Sequence, residues 1–273
     1  MNDATLSPSL RARFDSMQTI VAEAAELAMR MRPPAGGPIA TQKGAQDWLT
    51  EADGAVEALI AARIAAHFPE DGFQGEETGR TRHGALHWVV DPIDGTSNFA
   101  RGRARWCVSL GLLADGVAVA GMLAAPALGE TFLALRGHGA TLNGRKIAAA
   151  TLDDPARAMV EIGWGPKVAT RDYLAVSDRV MALGAAPRCG GSGALALADV
   201  ACGRVDAYIE LSINLWDVAA ALAILSESGA AVSPFLRDGG MEGAIPILAA
   251  APGVAAALSD ASGIRLGDDA RAA

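Results

Sequence analysis

Cysteine is scarce in this sequence, and its arrangement excludes more than its number does. Cys107, Cys189 and Cys202 are the three present. The odd count, the lack of a C-x-x-C pair and the absence of a nearby histidine pair argue against a disulfide framework or a zinc site. Small core residues are the expectation for all three. Histidine is as sparse, and His67, His83, His87 and His138 show no ligand spacing. Concentrated positive charge is lacking too: 23 Lys and Arg stand against 31 Asp and Glu, a formal net charge of -8. That balance argues against a nucleic-acid backbone as the main partner. The longest uncharged stretches, 116–129 and 243–259, contain prolines and fall short of a membrane span. The first residues carry no basic segment leading into an apolar run, so no secretory signal is expected and the cytoplasm is the expected compartment. No GxxxxGK[ST] phosphate loop occurs, and no internal repeat or low-complexity linker interrupts the chain.

What is present is core material. Hydrophobic residues make up 51% of the 273, and charged residues 20%. That is enough for one large domain or two smaller ones sharing an interface. Leu10, Phe14, Met17, Val21, Ala24, Ala28 and Met31 recur at helical spacing until Pro33-Pro34 ends the run. A flexible Ala35-Gly36-Gly37-Pro38 connection follows. A second helix starts near Thr50, where Thr50 to Asp53 has capping-box spacing. After a turn at 69–72 comes a short extended piece, then the acidic cluster Gly75-Glu76-Glu77-Thr78. Trp88-Val89-Val90 reads as a buried strand. Beyond Phe99 the pattern turns to strands at 106–113 and 117–123, joined by Ala114-Asp115-Gly116, a hairpin signal. From about residue 150 strands and helices alternate, with helices at 173–183, 193–202 and 218–227 and an Ala-rich one near the end. The tail from Ala261 reads as polar and frayed. An antiparallel α+β half over 1–150 is therefore expected to precede an α/β half over 151–273.

The stretch around which the chemistry gathers is Asp91-Pro92-Ile93-Asp94-Gly95-Thr96. Two carboxylates sit where a strand runs out. Pro92 biases Asp91 towards an extended conformation, and Gly95 allows a close turn whose amides can face an anion. Hard oxygen ligands beside exposed amides suit a divalent cation and a phosphate. On its own, Asp-Pro-X-Asp-Gly is also what an ordinary turn looks like. Trp216-Asp217-Val218-Ala219-Ala220 supplies a third acidic element, where Asp217 opens an Ala-rich helix as an N-terminal aspartate can.

Taken in order, Gly75-Glu76-Glu77, Asp91-Pro92-Ile93-Asp94-Gly95-Thr96 and Trp216-Asp217 resemble the inositol monophosphatase family. Supporting elements are Leu49-Thr50-Glu51-Ala52-Asp53, the Gly139-Ala140 and Asn143-Gly144 turn, and Gly190-Gly191-Ser192-Gly193. The resemblance covers roughly residues 42–229. It implies a layered αβαβα sandwich and two or three Mg²⁺ ions. Glu76, Asp91 and the carbonyl of Ile93 would hold one ion; Asp91, Asp94 and Asp217 would hold a second, with Asp91 bridging, and Glu76 would help bind a third. The reaction implied is hydrolysis of a small phosphate monoester by in-line attack of water. Thr96 and Asp53 would orient that water, Glu76 is a second candidate for activating it, and the amides of Gly95 and Thr96 would hold the phosphate. Lys43 matches a lysine of the family's mobile loop.

For substrate binding the resemblance nominates Asp94, Asp217, Gly191, Ser192, Gly193 and Glu210. Asn214 stands where some inositol phosphatases carry histidine, which weakens the inference to inositol phosphate itself. Arg101, Arg103 and Arg105 alternate, and on an extended strand would share one solvated face. Histidinol-phosphate phosphatase, adenosine bisphosphate nucleotidase and sugar bisphosphatase remain alternatives, as does a regulatory binding protein on the same fold. A phosphatase of the haloacid dehalogenase type would need DxD spacing, which Asp-Pro-Ile-Asp lacks. A homodimer is a further family expectation.

Overall fold

The computed structural model describes residues 7–34, 41–44, 47–49 and 51–267, with backbone alone for 41–44 and 47–49. The Ala35-Gly36-Gly37-Pro38 connection, Thr50 and the side chain of Lys43 lie outside the described residues. The first helical pattern becomes α1 (Pro8–Met31), where the Ser7 hydroxyl accepts from the Leu10 amide at 3.2 Å. The hairpin of β1 (Thr41–Gly44) and β2 (Asp47–Leu49) leads to α2 (Glu51–His67). Next come β3 (Gly72–Gly75), β4 (Gly79–Arg82), β5 (Leu86–Asp94), the short α3 (Thr96–Ala100), β6 (Cys107–Ala114), β7 (Val117–Ala125), β8 (Glu130–Leu135), β9 (Ala140–Leu142) and β10 (Arg145–Lys146). The remainder holds β11 (Met159–Ile162), α4 (Thr170–Ala182), β12 (Ala186–Arg188), α5 (Gly193–Ala201), β13 (Ala207–Ile213), α6 (Leu215–Ser228), β14 (Ala231–Val232), β15 (Ile245–Ala250) and α7 (Pro252–Ser262).

Among the described residues an eight-stranded sheet runs β10-β9-β8-β7-β6-β5-β3-β4, antiparallel except where β3 lies parallel to β5. A five-stranded sheet runs β12-β11-β13-β15-β14, with β11 parallel to both of its neighbours. Alternation along β5 distributes the core. Trp88 and Val90 face α1 and α2 together with Met17, Val56 and Ile60, whereas Val89 faces α5 and α6. The second sheet covers the other side of α5 and α6, and α4 and α7 close it through Val176, Val180, Val254 and Leu258. The layers are therefore αβαβα. The hairpin between β6 and β7 turns at Asp115 and Gly116, with φ of 49° and 73°, the left-handed pair that an Asp-Gly loop supplies.

Two expectations need correction. Ile264 and Leu266 are buried beside α7 and belong to the core under α4, so the chain stays packed from Ala261 as far as Leu266. Cys189 is exposed; only Cys107 of the three is fully buried.

The placement of α6 depends on two glycines. A Cβ on Gly111 would come within 2.8 Å of Ala219, and one on Gly121 within 2.2 Å of the Ala220 carbonyl oxygen. The Ala-rich face of α6 thus lies directly on the backbone of β6 and β7. Gly121→Val is expected to cost about 1–3 kcal/mol or more through overpacking, read as a lower urea midpoint. An unchanged midpoint would show that α6 can shift without loss.

Candidate metal centre

In a regular strand, residues 91 and 94 would point to opposite faces. Here the pairing of β5 with β6 shifts register between Asp91, opposite Ser109, and Asp94, opposite Cys107. The bulge over Pro92 and Ile93 brings both carboxylates to one side. Pro92 has no amide hydrogen to lose from the ladder, and the Ile93 amide donates to Asp91 Oδ1 at 2.9 Å. Gly95 follows with φ +91°, and a Cβ there would stand 3.0–3.2 Å from the Arg105 and Gly191 carbonyl oxygens and Ser192. Glycine is required on both counts.

Asp217 arrives from the other half of the chain as the third residue of α6. Its Oδ2 accepts from the Asn214 amide at 2.8 Å and the Asn214 side chain at 3.3 Å. The capping role and a ligand role coexist, because the bonds to Asn214 go to one oxygen. Among the described residues Asp91, Asp94 and Asp217 offer carboxylate oxygens all within 4.8 Å of one another. Glu76, in the turn after β3, has its amide bonded to the Val90 carbonyl at 3.1 Å and its carboxyl within hydrogen-bonding reach of Asp91.

Buried like charges hold protons. Burial first, then the charges of Asp217, Glu77 and Asp53, push Glu76 up to about 8. Burial first, then Asp94, pushes Asp217 up to about 7. Asp91 is 2% exposed and raised well above the ordinary carboxylate range by burial and by Glu76, Asp94 and Asp217. Such a cluster fits a divalent cation: every donor is a hard oxygen, and an ion between them removes the repulsion that raises the pKa values.

Asp53, the third residue of α2, is 1% exposed and faces Thr96. The Thr96 hydroxyl lies 3.0 Å from the Ile93 carbonyl oxygen and 3.5 Å from Asp53 Oδ1, so its closer acceptor is the carbonyl. A cavity of about 530 Å³ opens beside the acids, with Glu76, Asp94, Asp217, Gly191, Ser192 and Glu210 in its wall. Glu210 accepts from the Tyr208 hydroxyl and is pushed up to about 8, chiefly by burial. Ser192 and Gly193 line this cavity and also bond to Asp94.

Several participants were not foreseen from sequence. Glu57, 1% exposed, accepts from the amides of Glu77 at 2.9 Å and Thr78 at 3.0 Å and so fixes the turn that carries Glu76. Its signal was the position one turn after Asp53 on the buried face of α2. The arginine reading is corrected. Residues 101–105 form turns rather than a strand, and Gly102 has φ 71°. Arg105 points inward, bonding Glu161 and Asp199 at 2.7 Å each, while Arg103 bonds the Asn98 side chain at 2.8 Å.

Comparison with known proteins gives a consistent family. The model of the "Inositol monophosphatase family" matches residues 10–262. A protein named Nus factor SuhB from Xylella fastidiosa is 38% identical over 196 residues, 71% of each chain. Inositol monophosphatase 2 of Solanum lycopersicum is 38% identical over 200 residues, covering 70% of this chain and 76% of its own. The crystal structure of the extragenic suppressor protein suhB from Bartonella henselae superposes with a TM-score of 0.84 at 28% identity, over 92% of this chain and 98% of that one.

Proposed function

The chain belongs to the inositol monophosphatase family and is a phosphoric monoester hydrolase; from that premise we propose that it hydrolyses a small, inositol monophosphate-like ester at the acidic cluster between its two sheets. The observation that carries this reading is the convergence of Asp91, Asp94 and Asp217 within 4.8 Å, from two halves of the chain. Glu76, Asp91, the Ile93 carbonyl, Asp94 and Asp217 would hold two or three Mg²⁺ ions. When bound, such ions lower the pKa of a water and neutralise phosphate charge.

The chain's own residues have distinct parts. Asp53 and the Ile93 carbonyl fix the rotamer of the Thr96 hydroxyl, which orients the attacking water. Glu76 is the second candidate for activating that water and would accept its proton. The amides of Gly95 and Thr96 bind phosphate oxygens. Glu210, in the cavity wall with Tyr208, accepts from a hydroxyl of the leaving alcohol, alongside Gly191 and the Ser192–Gly193 segment. The segments 1–150 and 151–273 act as two halves, each giving ligands to one centre. Lys43, matched by the resemblance to a lysine of the family's mobile loop, would serve the third ion.

The Xylella fastidiosa relative carries the name of a Nus factor, which supports a second reading in which this chain also binds a regulatory partner. No described helix is long and apolar enough to cross a membrane. A homodimer in the cytoplasm completes the proposal on family grounds.

Phosphate release tests it. Inositol 1-phosphate, histidinol phosphate, adenosine bisphosphate, fructose bisphosphate and glycerol 2-phosphate are supplied with Mg²⁺ and with chelator. Turnover that requires Mg²⁺ and favours inositol 1-phosphate in kcat/KM is expected. Preference for another ester would move the substrate assignment, and silence with all five would turn the reading towards binding.

A further inference from the structure

Asp94 meets more of the protein than a simple ligand needs to. Its Oδ2 accepts from the Ser192 hydroxyl, from the Ala194 amide at 3.0 Å and, weakly, from the Cys107 thiol at 3.9 Å. Among the described residues its Oδ1 accepts only from the Gly193 amide, at 3.2 Å. A carboxylate oxygen has about two lone-pair sites. Two of the donors to Oδ2 fill that oxygen, whereas Oδ1 keeps one site.

We propose that Ser192 is a positioning residue for the metal centre, committing Oδ2 of Asp94 to the protein and leaving Oδ1 as the oxygen offered to an ion. The proposal rests on the metal-site reading above.

The surrounding contacts explain how a hydroxyl from the second half of the chain can aim a carboxylate of the first. Asn98, 2% exposed, donates through Nδ2 to the carbonyls of Arg105 at 2.7 Å, Gly190 at 3.0 Å and Gly191 at 3.2 Å. Arg105 reaches Asp199 on α5 and Glu161 on β11. The lead-in to α5 is thereby fastened to the loop that begins at Asp94. Within it Ser192 bridges two partners: its oxygen accepts from the Leu195 amide at 3.4 Å as the helix cap, and its hydrogen goes to Asp94. Partners that orient a metal ligand typically contribute a factor of about 10–100 to metal affinity.

The two roles of Ser192 separate by substitution. Ser192→Thr keeps both, and Ser192→Gly keeps most of the cap while deleting the donor to Asp94. Mg²⁺ is titrated calorimetrically into the full-length wild type, both variants and Asp91→Asn at pH 8, well below the melting temperature. Ser192→Gly is expected to bind Mg²⁺ about tenfold more weakly or worse, with Ser192→Thr restoring wild-type affinity. The Mg²⁺ half-saturation of phosphate release should rise in parallel. Ser192→Gly with wild-type Mg²⁺ affinity, whatever its melting temperature, overturns the proposal provided Asp91→Asn has lost binding. If Asp91→Asn also binds normally, the metal-site reading itself fails and takes this proposal with it. Should Ser192→Gly not fold, Ser192→Cys, similar in size but a weak donor, is expected to show the same loss of affinity, and wild-type affinity there is equally fatal.

Discussion

Asp91→Asn is expected to lower Mg²⁺-dependent phosphate release by about a thousandfold or more while leaving a folded protein. The change is nearly isosteric. An asparagine oxygen can still accept from the Ile93 amide, which bonds Asp91 at 2.9 Å, so the bulge in β5 has no reason to relax. What is lost is a charge in the position that touches both Glu76 and Asp217. Lewis-acid stabilisation contributes several kcal/mol to a transition state, and about 4 kcal/mol corresponds to three orders of magnitude in rate. Stability should move the other way. In the metal-free chain Asp91 is an acid held far above its ordinary range by burial and by four neighbouring carboxylates. Removing its capacity to ionise relieves that repulsion, so melting in chelator at pH 8 is expected to equal or exceed wild type. The melting shift produced by Mg²⁺ should disappear. Normal turnover would refute the centre; a collapse of the fold would show Asp91 to be structural.

The residue types at the centre were legible in the sequence because each sits in a local motif. Asp-Pro-Ile-Asp-Gly-Thr and Trp-Asp announce themselves by composition and by their place at the ends of elements. The bulge did not. Nothing in Pro92-Ile93 states that two residues will face one on β6, yet that pairing alone puts Asp91 and Asp94 on the same side. Long-range partners were hidden for the same reason. Glu57 is one acid on an amphipathic helix until the amides of Glu77 and Thr78, some twenty positions away, come to it. Arg101, Arg103 and Arg105 alternate like a strand, but pairing with β5 begins only at Cys107, and two buried carboxylates draw Arg105 inward. The stretch after α7 misled through its composition: Ile264 and Leu266 flank Arg265 between two glycines and are buried all the same.

Mg²⁺ affinity is expected to rise by roughly two to three orders of magnitude between pH 6 and pH 8, since each proton an ion must displace contributes up to tenfold per pH unit below the pKa of its group. Glu76 at about 8 and Asp217 at about 7 are the groups concerned, both raised first by burial. In the unfolded chain they return to ordinary values near 4.5 and 3.8. Between those values and the folded ones the native metal-free state binds more protons than the unfolded state, so its stability falls as pH rises from about 4 to about 8. Asp91 acts in the same direction. An ion reverses the trend, because it binds the ionised cluster that the metal-free fold tolerates least. The melting temperature in chelator should therefore decline from pH 5 to pH 8, while the increment added by Mg²⁺ grows over the same interval. Calorimetric titrations in buffers of different ionisation enthalpy would count the protons released. Affinity independent of pH, with no proton release, would mean that the four acids are already ionised without metal. Other cationic groups would then have to balance them, and burial alone could not be what readies the cluster for an ion.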